Sequence, residues 1–127
     1  MNEMDNLYNG QNNPSVRLIR DKIRFGHEPD NPLLIPIWLD QEKLFLQELE
    51  DIGHRRQYIE QQFRLLLDTI MDELIPSHWR CICLNNIYYP LSSLKKLASD
   101  KQSERHIQQL INELSVTSNY VASSLRS

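Results

Sequence analysis

Glycine is scarce in this chain, with three among 127 residues, and the three stand apart from one another. A phosphate-binding loop needs several glycines close together so that the backbone can wrap around the phosphate, and the sequence excludes such a loop. Turn-rich β folds also need more glycine, whereas leucine, isoleucine, glutamine and glutamate are plentiful here and favour helices. The composition therefore predicts an all-α fold.

Cysteine is nearly absent as well. Cys81 and Cys83 are the only two and are separated by a single residue, so they cannot join distant parts of the chain by a disulfide.

No apolar run approaches the roughly 20 residues that cross a bilayer. Residues 1–13 are rich in asparagine and carry Glu3 and Asp5, which predicts a disordered tail rather than a secretory signal. We therefore expect no membrane association and a reducing, cytoplasmic location.

No charge of one sign dominates the chain, whose net charge is -3. Residues 39–75 carry nine acids against four bases, and residues 76–127 carry six bases against three acids. Neither part has the dense basic patch of a dedicated nucleic-acid binder. The charge distribution therefore argues against nucleic acid as the main partner.

The chain does contain an apolar stripe along one long helical segment. Its residues recur at spacings of three and four, and only Arg56 interrupts them: Phe45, Leu49, Ile52, Ile59, Phe63, Leu66 and Ile70. Helical periodicity spans residues 39–75, which predicts one central helix of about 55 Å. At Gly53 we expect a bend rather than the end of a first helix, because the three-four spacing continues across it.

The residue pattern before the stripe predicts a short helix that is followed by an extended connection. Asn13 precedes Pro14 as an N-cap, and Gly26 follows the last helical residue, which is the usual punctuation of a helix. Residues 27–36 contain three prolines and favour extended backbone. Residues 32–39 are strongly apolar, and we expect them to lie across the core or in a groove.

The segment after Pro76 changes character. Residues 79–89 show no helical period, and their two central asparagines suit the turn of a minor β-hairpin. An irregular or helical segment fits the same residues. Short helices are predicted over 91–98 and from Ser103 onward. The expected fold is a small all-α helical bundle of one domain, residues 14–127, built around the central helix.

No constellation of residues indicates catalysis. His78, Cys81 and Cys83 lie close together in sequence, but a zinc site needs four ligands at wider paired spacings. A cysteine nucleophile would need a base such as His78, and we identify no oxyanion hole or orienting group to complete the site. We therefore predict that the chain is not an enzyme, with no catalytic residue, no metal ion, no cofactor and no small-molecule substrate.

Residues 91–114 have the outline of two short helices joined by a polar turn, which is also the outline of a helix-turn-helix. Residues 103–113 would then form the recognition helix. The bases that would contact DNA are Lys95, Lys96, Lys101 and Arg105. An ordinary helical hairpin with a solvated face explains the same pattern. A DNA-binding transcriptional regulator is the alternative function.

The main prediction is a non-enzymatic helical protein–protein interaction module, acting as an adaptor, regulator or assembly subunit. A chain this small has few other helices to cover a central helix of about 55 Å. We therefore expect a protein partner, in a homo-oligomer or a hetero-complex, to cover part of the stripe. The predicted interface residues are Trp38, Phe45, Leu49, Ile52, Arg56, Ile59, Phe63, Leu66 and Ile70.

Overall fold

The structure is a computed structural model that describes residues 13–126, and the side chains only as far as residue 123. Every regular element within these residues is an α-helix, which confirms the all-α prediction. The helices are α1 (Pro14–Arg24), α2 (Leu34–Glu48), α3 (Ile52–Met71), α4 (Ser77–Asn86), α5 (Tyr88–Leu97) and α6 (Lys101–Arg126). The predicted tail, residues 1–13, lies outside the described part except for Asn13.

Helix α1 begins and ends where the sequence predicts. The Asn13 side chain accepts hydrogen bonds from the backbone N–H groups of Ser15 (2.9 Å) and Val16 (3.4 Å), which are otherwise unpaired at a helix start. At the other end Gly26 has a φ of +61°. The N–H of His27 reaches back to the carbonyl of residue 22 at 2.9 Å, so the helix closes in a Schellman motif.

The predicted single central helix over residues 39–75 is wrong, because the chain breaks at residues 49–51. Leu49 is extended, with ψ at 115°, and its side chain is fully buried beside Tyr58. Asp51 then caps α3 by accepting from the N–H of His54 at 3.1 Å. The break therefore lies before Gly53, which sits inside the first turn of α3.

The extended connection predicted over residues 27–36 is wrong at its end. Residues 34–36 are helical, since α2 begins at Leu34. Pro36 is tolerated because the first turn of a helix has unpaired N–H groups in any case. Leu34, Ile35 and Trp38 are buried in the core, so this part of the segment does pack on the core as expected.

The β-hairpin predicted near residues 79–89 does not form. Residues 77–86 and 88–97 are helical and meet at Ile87. Trp79, Cys83 and Ile87 are spaced by four and are all fully buried, so a helical face explains their burial. In the sequence, Trp79, Cys81 and Cys83 alternate with Arg80 and Ile82, and this alternation concealed the spacing of four.

Helix α3 is the centre of the bundle, although at 20 residues it is only about 30 Å long. Helices α1, α4, α5 and α6 pack against it, and α2 packs mainly on α1. The core side chains of all six helices join in one large apolar cluster. The arrangement leaves α2 and α5 on two sides of α3 with a groove between them.

Candidate functional site

A groove between α2 and α5, here called the α2–α5 groove, is the clearest candidate site. It consists of two adjoining hollows of about 440 and 280 Å³. Its floor is mainly apolar, with Leu39 and Leu46 from α2, Ile59 from α3 and Leu97 from α5. Gln62 of α3 is the polar member of the floor. The groove thus combines an apolar base with walls from two separate helices.

The rim of the α2–α5 groove is basic. Lys43 lies on the α2 wall, Lys96 on the α5 wall and Arg55 at one end, whereas Asp40 is the acid. The two lysines are exposed, and within residues 13–126 neither forms an ion pair. Their charges are therefore available to a partner.

A buried polar network fixes α2 beside α1 and α3. Glu42 of α2 is fully buried, and its two carboxylate oxygens accept from Arg20 Nε at 2.6 Å and Arg20 Nη2 at 2.9 Å. Trp38 Nε1 donates to Glu42 Oε2 at 2.7 Å, and Gln62 Nε2 donates to Oε1 at 3.0 Å. A buried carboxylate is tolerated only with such a full set of donors.

The electrostatics of this network keep its charges in place. Burial alone lowers the pKa of Arg20, but the interactions with Glu42, together with smaller ones with Tyr58, outweigh burial, and the pKa is raised. The Arg20 guanidinium lies 5.4 Å from the centre of the Tyr58 ring, a cation–π distance. Burial, with the negative charge of Glu42, raises the pKa of the Tyr58 hydroxyl. Arg20 is therefore charged and Tyr58 neutral at physiological pH.

Arg56 fixes the other wall. Its Nε and Nη2 atoms donate to the Leu97 carbonyl at 3.1 and 2.7 Å, and Nη2 also donates to Ser99 Oγ at 2.7 Å. The Leu97 carbonyl is at the C-terminus of α5, where the helix dipole favours a cation. The residue that interrupts the apolar stripe therefore holds α5 on α3.

The structure places most of the predicted interface inside the chain's own core. Six of the nine residues are buried: Trp38, Leu49, Ile59, Phe63, Leu66 and Ile70. Phe45 is half-buried against the small Leu49–Tyr58 cluster, and Ile52 is 47% exposed. The chain's own helices thus cover most of the stripe, because the break at residues 49–51 folds it into two shorter helices.

The sequence analysis missed an exposed apolar row that runs from the N-cap residue of α2 along the helix. Leu33, Ile37 and Leu44 are 64%, 46% and 65% exposed, and their spacings of four and seven place them on one helical face. The spacing was visible in the sequence. The sequence did not show that the neighbouring Trp38 and Glu42 are buried, and their burial sets which side of α2 faces inward.

Two other hollows are weaker candidates because the arginines of one and the histidine of the other are already paired within the fold. The hollow between α1 and α3, of about 790 Å³, contains three arginines. Each of the three forms an ion pair within the fold, with Glu42, Asp72 and Glu113 respectively. The hollow between α3 and α6 contains His106, whose Nε2 lies 2.6 Å from Glu60 Oε1.

The structure does not assemble His78, Cys81 and Cys83 into a metal or catalytic site, although all three lie on α4. His78 Nε2 lies 3.3 Å from Asp30 Oδ1, and Cys83 is fully buried. Burial raises the pKa of the Cys83 thiol to about 12, so it is almost wholly protonated. Among the described residues no group of three or more metal-binding side chains comes together.

The four basic residues of the DNA-binding alternative are all exposed. Lys95 and Lys96 lie in the last turn of α5, and Lys96 borders the α2–α5 groove. Lys101 and Arg105 lie one turn apart at the start of α6. That helix starts at residue 101, two residues before the predicted Ser103, because Asp100 Oδ1 accepts from the Ser103 N–H at 2.8 Å.

Comparison with protein families, with curated proteins and with solved structures found no match. Within residues 13–126, no helix has the combined length and apolar character to cross a bilayer. The geometry of the chain itself therefore supplies the functional argument.

Proposed function

We propose that this chain is a non-enzymatic protein–protein interaction module that binds its partner in the α2–α5 groove. The observation that supports the proposal is an apolar floor, open to solvent, between two lysines without ion-pair partners in the described residues. A concave apolar patch rimmed by polar residues is typical of a binding site. The role would be that of an adaptor, a regulator or an assembly subunit.

The rigidity of the walls supports the same proposal. Glu42 holds α2 through Arg20 and Gln62, and Arg56 holds α5 through the Leu97 carbonyl. A groove whose walls are fixed before binding loses less conformational entropy when a partner enters. The groove is thus organised for binding in the free chain.

The experiment is affinity capture with a variant that fills the groove. Ser93 is exposed and borders both hollows, so Ser93→Trp places an indole in the groove. Lys95→Trp adds the same side chain to an exposed site on the same helix outside both hollows and is the matched control. We expect proteins captured by the wild type and by Lys95→Trp to be lost with Ser93→Trp.

Capture of the same set by Ser93→Trp and wild type would overturn the proposal. Circular dichroism melting of both variants verifies that each is folded. Sedimentation of the purified wild type separates a homo-oligomer from a hetero-complex, because only the former forms without another protein.

Both cysteines are free thiols, which supports our further proposal of a reducing, cytoplasmic compartment.

The DNA-binding regulator stays an alternative proposal. It is supported by Lys101 and Arg105, which are exposed and one turn apart at the start of α6. Asp100 and Glu104 lie beside them and weaken the local positive potential. Salt-dependent DNA binding that is lost on combined Lys101→Ala and Arg105→Ala substitution would support it. Absence of binding at low salt would eliminate it.

A further inference from the structure

The charge of the rim indicates the chemistry of the partner, if the proposed function holds. Lys43 and Lys96 stand on opposite walls, Arg55 stands at one end, and Asp40 is the one acid among the described residues of the rim. The chain as a whole has a net charge of -3, so this basic rim departs from the average surface. We infer that the groove binds an acidic amphipathic helix, whose apolar side chains enter the floor and whose carboxylates meet the two lysines.

The dimensions of the groove fit a short helix. On α2 the lining runs from Pro36 to Gln47, and on α5 from Tyr89 to Leu97. These spans correspond to about 17 and 12 Å at 1.5 Å per residue. A bound helix thus has two to three turns in the groove, which is enough for apolar anchors at positions i, i+4 and i+7.

A helical partner fits better than an extended one. An extended peptide needs main-chain partners, usually from an open strand edge, and residues 13–126 contain no strand. The polar side chains that line the groove, such as Asn86, Ser92 and Ser93, are too few to pair a whole extended backbone. A helix pairs its own backbone groups and requires only side-chain contacts.

The arrangement of charges sets the order of preference between partners. Carboxylates on both sides of an apolar stripe would lie near both lysines, and charge-complementary contacts raise association rates and exclude wrong partners. A helix with lysines at the same places would bring like charges together at both walls. The inferred partner is therefore acidic on both flanks of its apolar stripe rather than neutral or basic.

The test uses the full chain and three synthetic peptides of about 15 residues, labelled with fluorescein. All three carry leucine at i, i+4, i+7 and i+11, and their flanking positions are glutamate, glutamine or lysine. Fluorescence anisotropy measures each Kd. We expect the glutamate peptide to bind at least about tenfold more tightly than the lysine peptide, with the difference shrinking as salt is raised.

Charge reversal on the protein tests the two lysines. We expect Lys43→Glu and Lys96→Glu each to weaken binding of the glutamate peptide several-fold, and we expect the double variant to bind the lysine peptide more tightly than the glutamate peptide. Lys95→Glu makes the same charge change on the same helix outside the groove. It should leave the preference for the glutamate peptide unchanged.

Equal affinities for the three peptides, no binding of any of them, or equal effects of Lys95→Glu and Lys96→Glu would overturn the inference. Its failure is distinguishable from failure of the proposed function. If Ser93→Trp still abolishes partner capture, the groove remains the binding site and only the acidic helix is wrong. If Ser93→Trp leaves partner capture unchanged and no peptide binds, both the proposed function and the acidic-helix inference are wrong.

Discussion

Glu42 and Arg20 form a two-bond ion pair between α2 and α1, with a fully buried carboxylate at 2.6 and 2.9 Å from the guanidinium. Neither residue had a distinguishing mark in the sequence, where both belonged to the polar positions of amphipathic helices. The pair orients α2 so that Lys43, one residue along, lies on the rim of the α2–α5 groove.

Substitution of Glu42 should be among the most damaging polar changes. The Arg20 side chain is only 15% exposed. Glu42→Gln therefore leaves its positive charge without the negative charge that balances it. We expect a loss of about 3 kcal/mol in the free energy of unfolding, at the lower end for broken buried pairs, measured by urea unfolding. Glu48→Gln, at an exposed position of α2, is the control and should change stability by less than about 0.5 kcal/mol. Equal effects of the two would contradict this account.

Arg56 should contribute to the stability of α5 rather than to a partner interface. Arg56→Ala removes three hydrogen bonds to residues 97 and 99. We expect a loss of about 1–2 kcal/mol and faster hydrogen exchange of amides in α5, read by mass spectrometry. Arg105→Ala removes an exposed arginine with no hydrogen bond or ion pair inside residues 13–126 and should leave that exchange unchanged. Unchanged exchange in Arg56→Ala would refute the role.

The glycines should respond differently to alanine. At Gly26 a Cβ would meet Ile75 Cγ2 at 3.2 Å and Trp79 Cδ1 at 3.3 Å, on a backbone with φ of +61°, so Gly26→Ala should cost at least about 1–2 kcal/mol. At Gly53 the helical gain of about 1 kcal/mol is offset, because the Cβ lies 2.9 Å from the capping Asp51 Oδ1. Thermal unfolding compares the two, and a larger loss at Gly53 would contradict the prediction.

The two cysteines should differ in reactivity. Cys83 is fully buried with its pKa raised to about 12 by burial, so at pH 8 it is almost wholly in the unreactive thiol form. Cys81 is half-buried. We expect a thiol reagent to label Cys81 in the native chain and Cys83 only after denaturation, as resolved by peptide mass spectrometry with Cys81→Ser as the control. Rapid native labelling of Cys83 would show that α4 is not packed as described.

Acid should weaken the fold through two carboxylates at helix ends. The hydrogen bond from Arg24 and the N–H of Leu74 lower the pKa of Asp72, and the N–H and hydroxyl of Ser103 lower the pKa of Asp100. Because each folded pKa lies below the unfolded value of 3.8, their stabilisation is complete only above about pH 5 and is lost progressively as pH falls through the unfolded and then the folded pKa.

This pH dependence is checked with Asp72→Asn and Asp100→Asn in urea unfolding between about pH 2.5 and 6. Each variant should lose less stability on acidification than the wild type. Asp40→Asn, at an exposed residue without an ion pair inside residues 13–126, is the control and should follow the wild type. An identical acid slope for all four proteins would rule out the two carboxylates as the cause.

Local patterns predicted what local interactions decide. The all-α class follows from composition, and the Asn13–Pro14 start and Gly26 end of α1 follow from caps a few residues long. Sequence patterns that are compatible with two different backbone structures gave the wrong predictions. The spacing of three and four continues from Leu49 to Ile52 although the helix does not, and alternation over residues 79–89 concealed the spacing of four in Trp79, Cys83 and Ile87.

The sequence by itself thus determined the helical character, the boundaries of α1 and the apolar residues that would seek burial, because these depend on neighbours in the chain. Only the tertiary structure decided which helix covers which stripe, why the chain turns at residues 49–51 and that Glu42 is buried, because these depend on contacts between distant segments. The α2–α5 groove is the clearest case. The facing lysines of its walls, Lys43 and Lys96, are 53 residues apart in sequence, and Glu42 and Arg56 hold the two walls on α3.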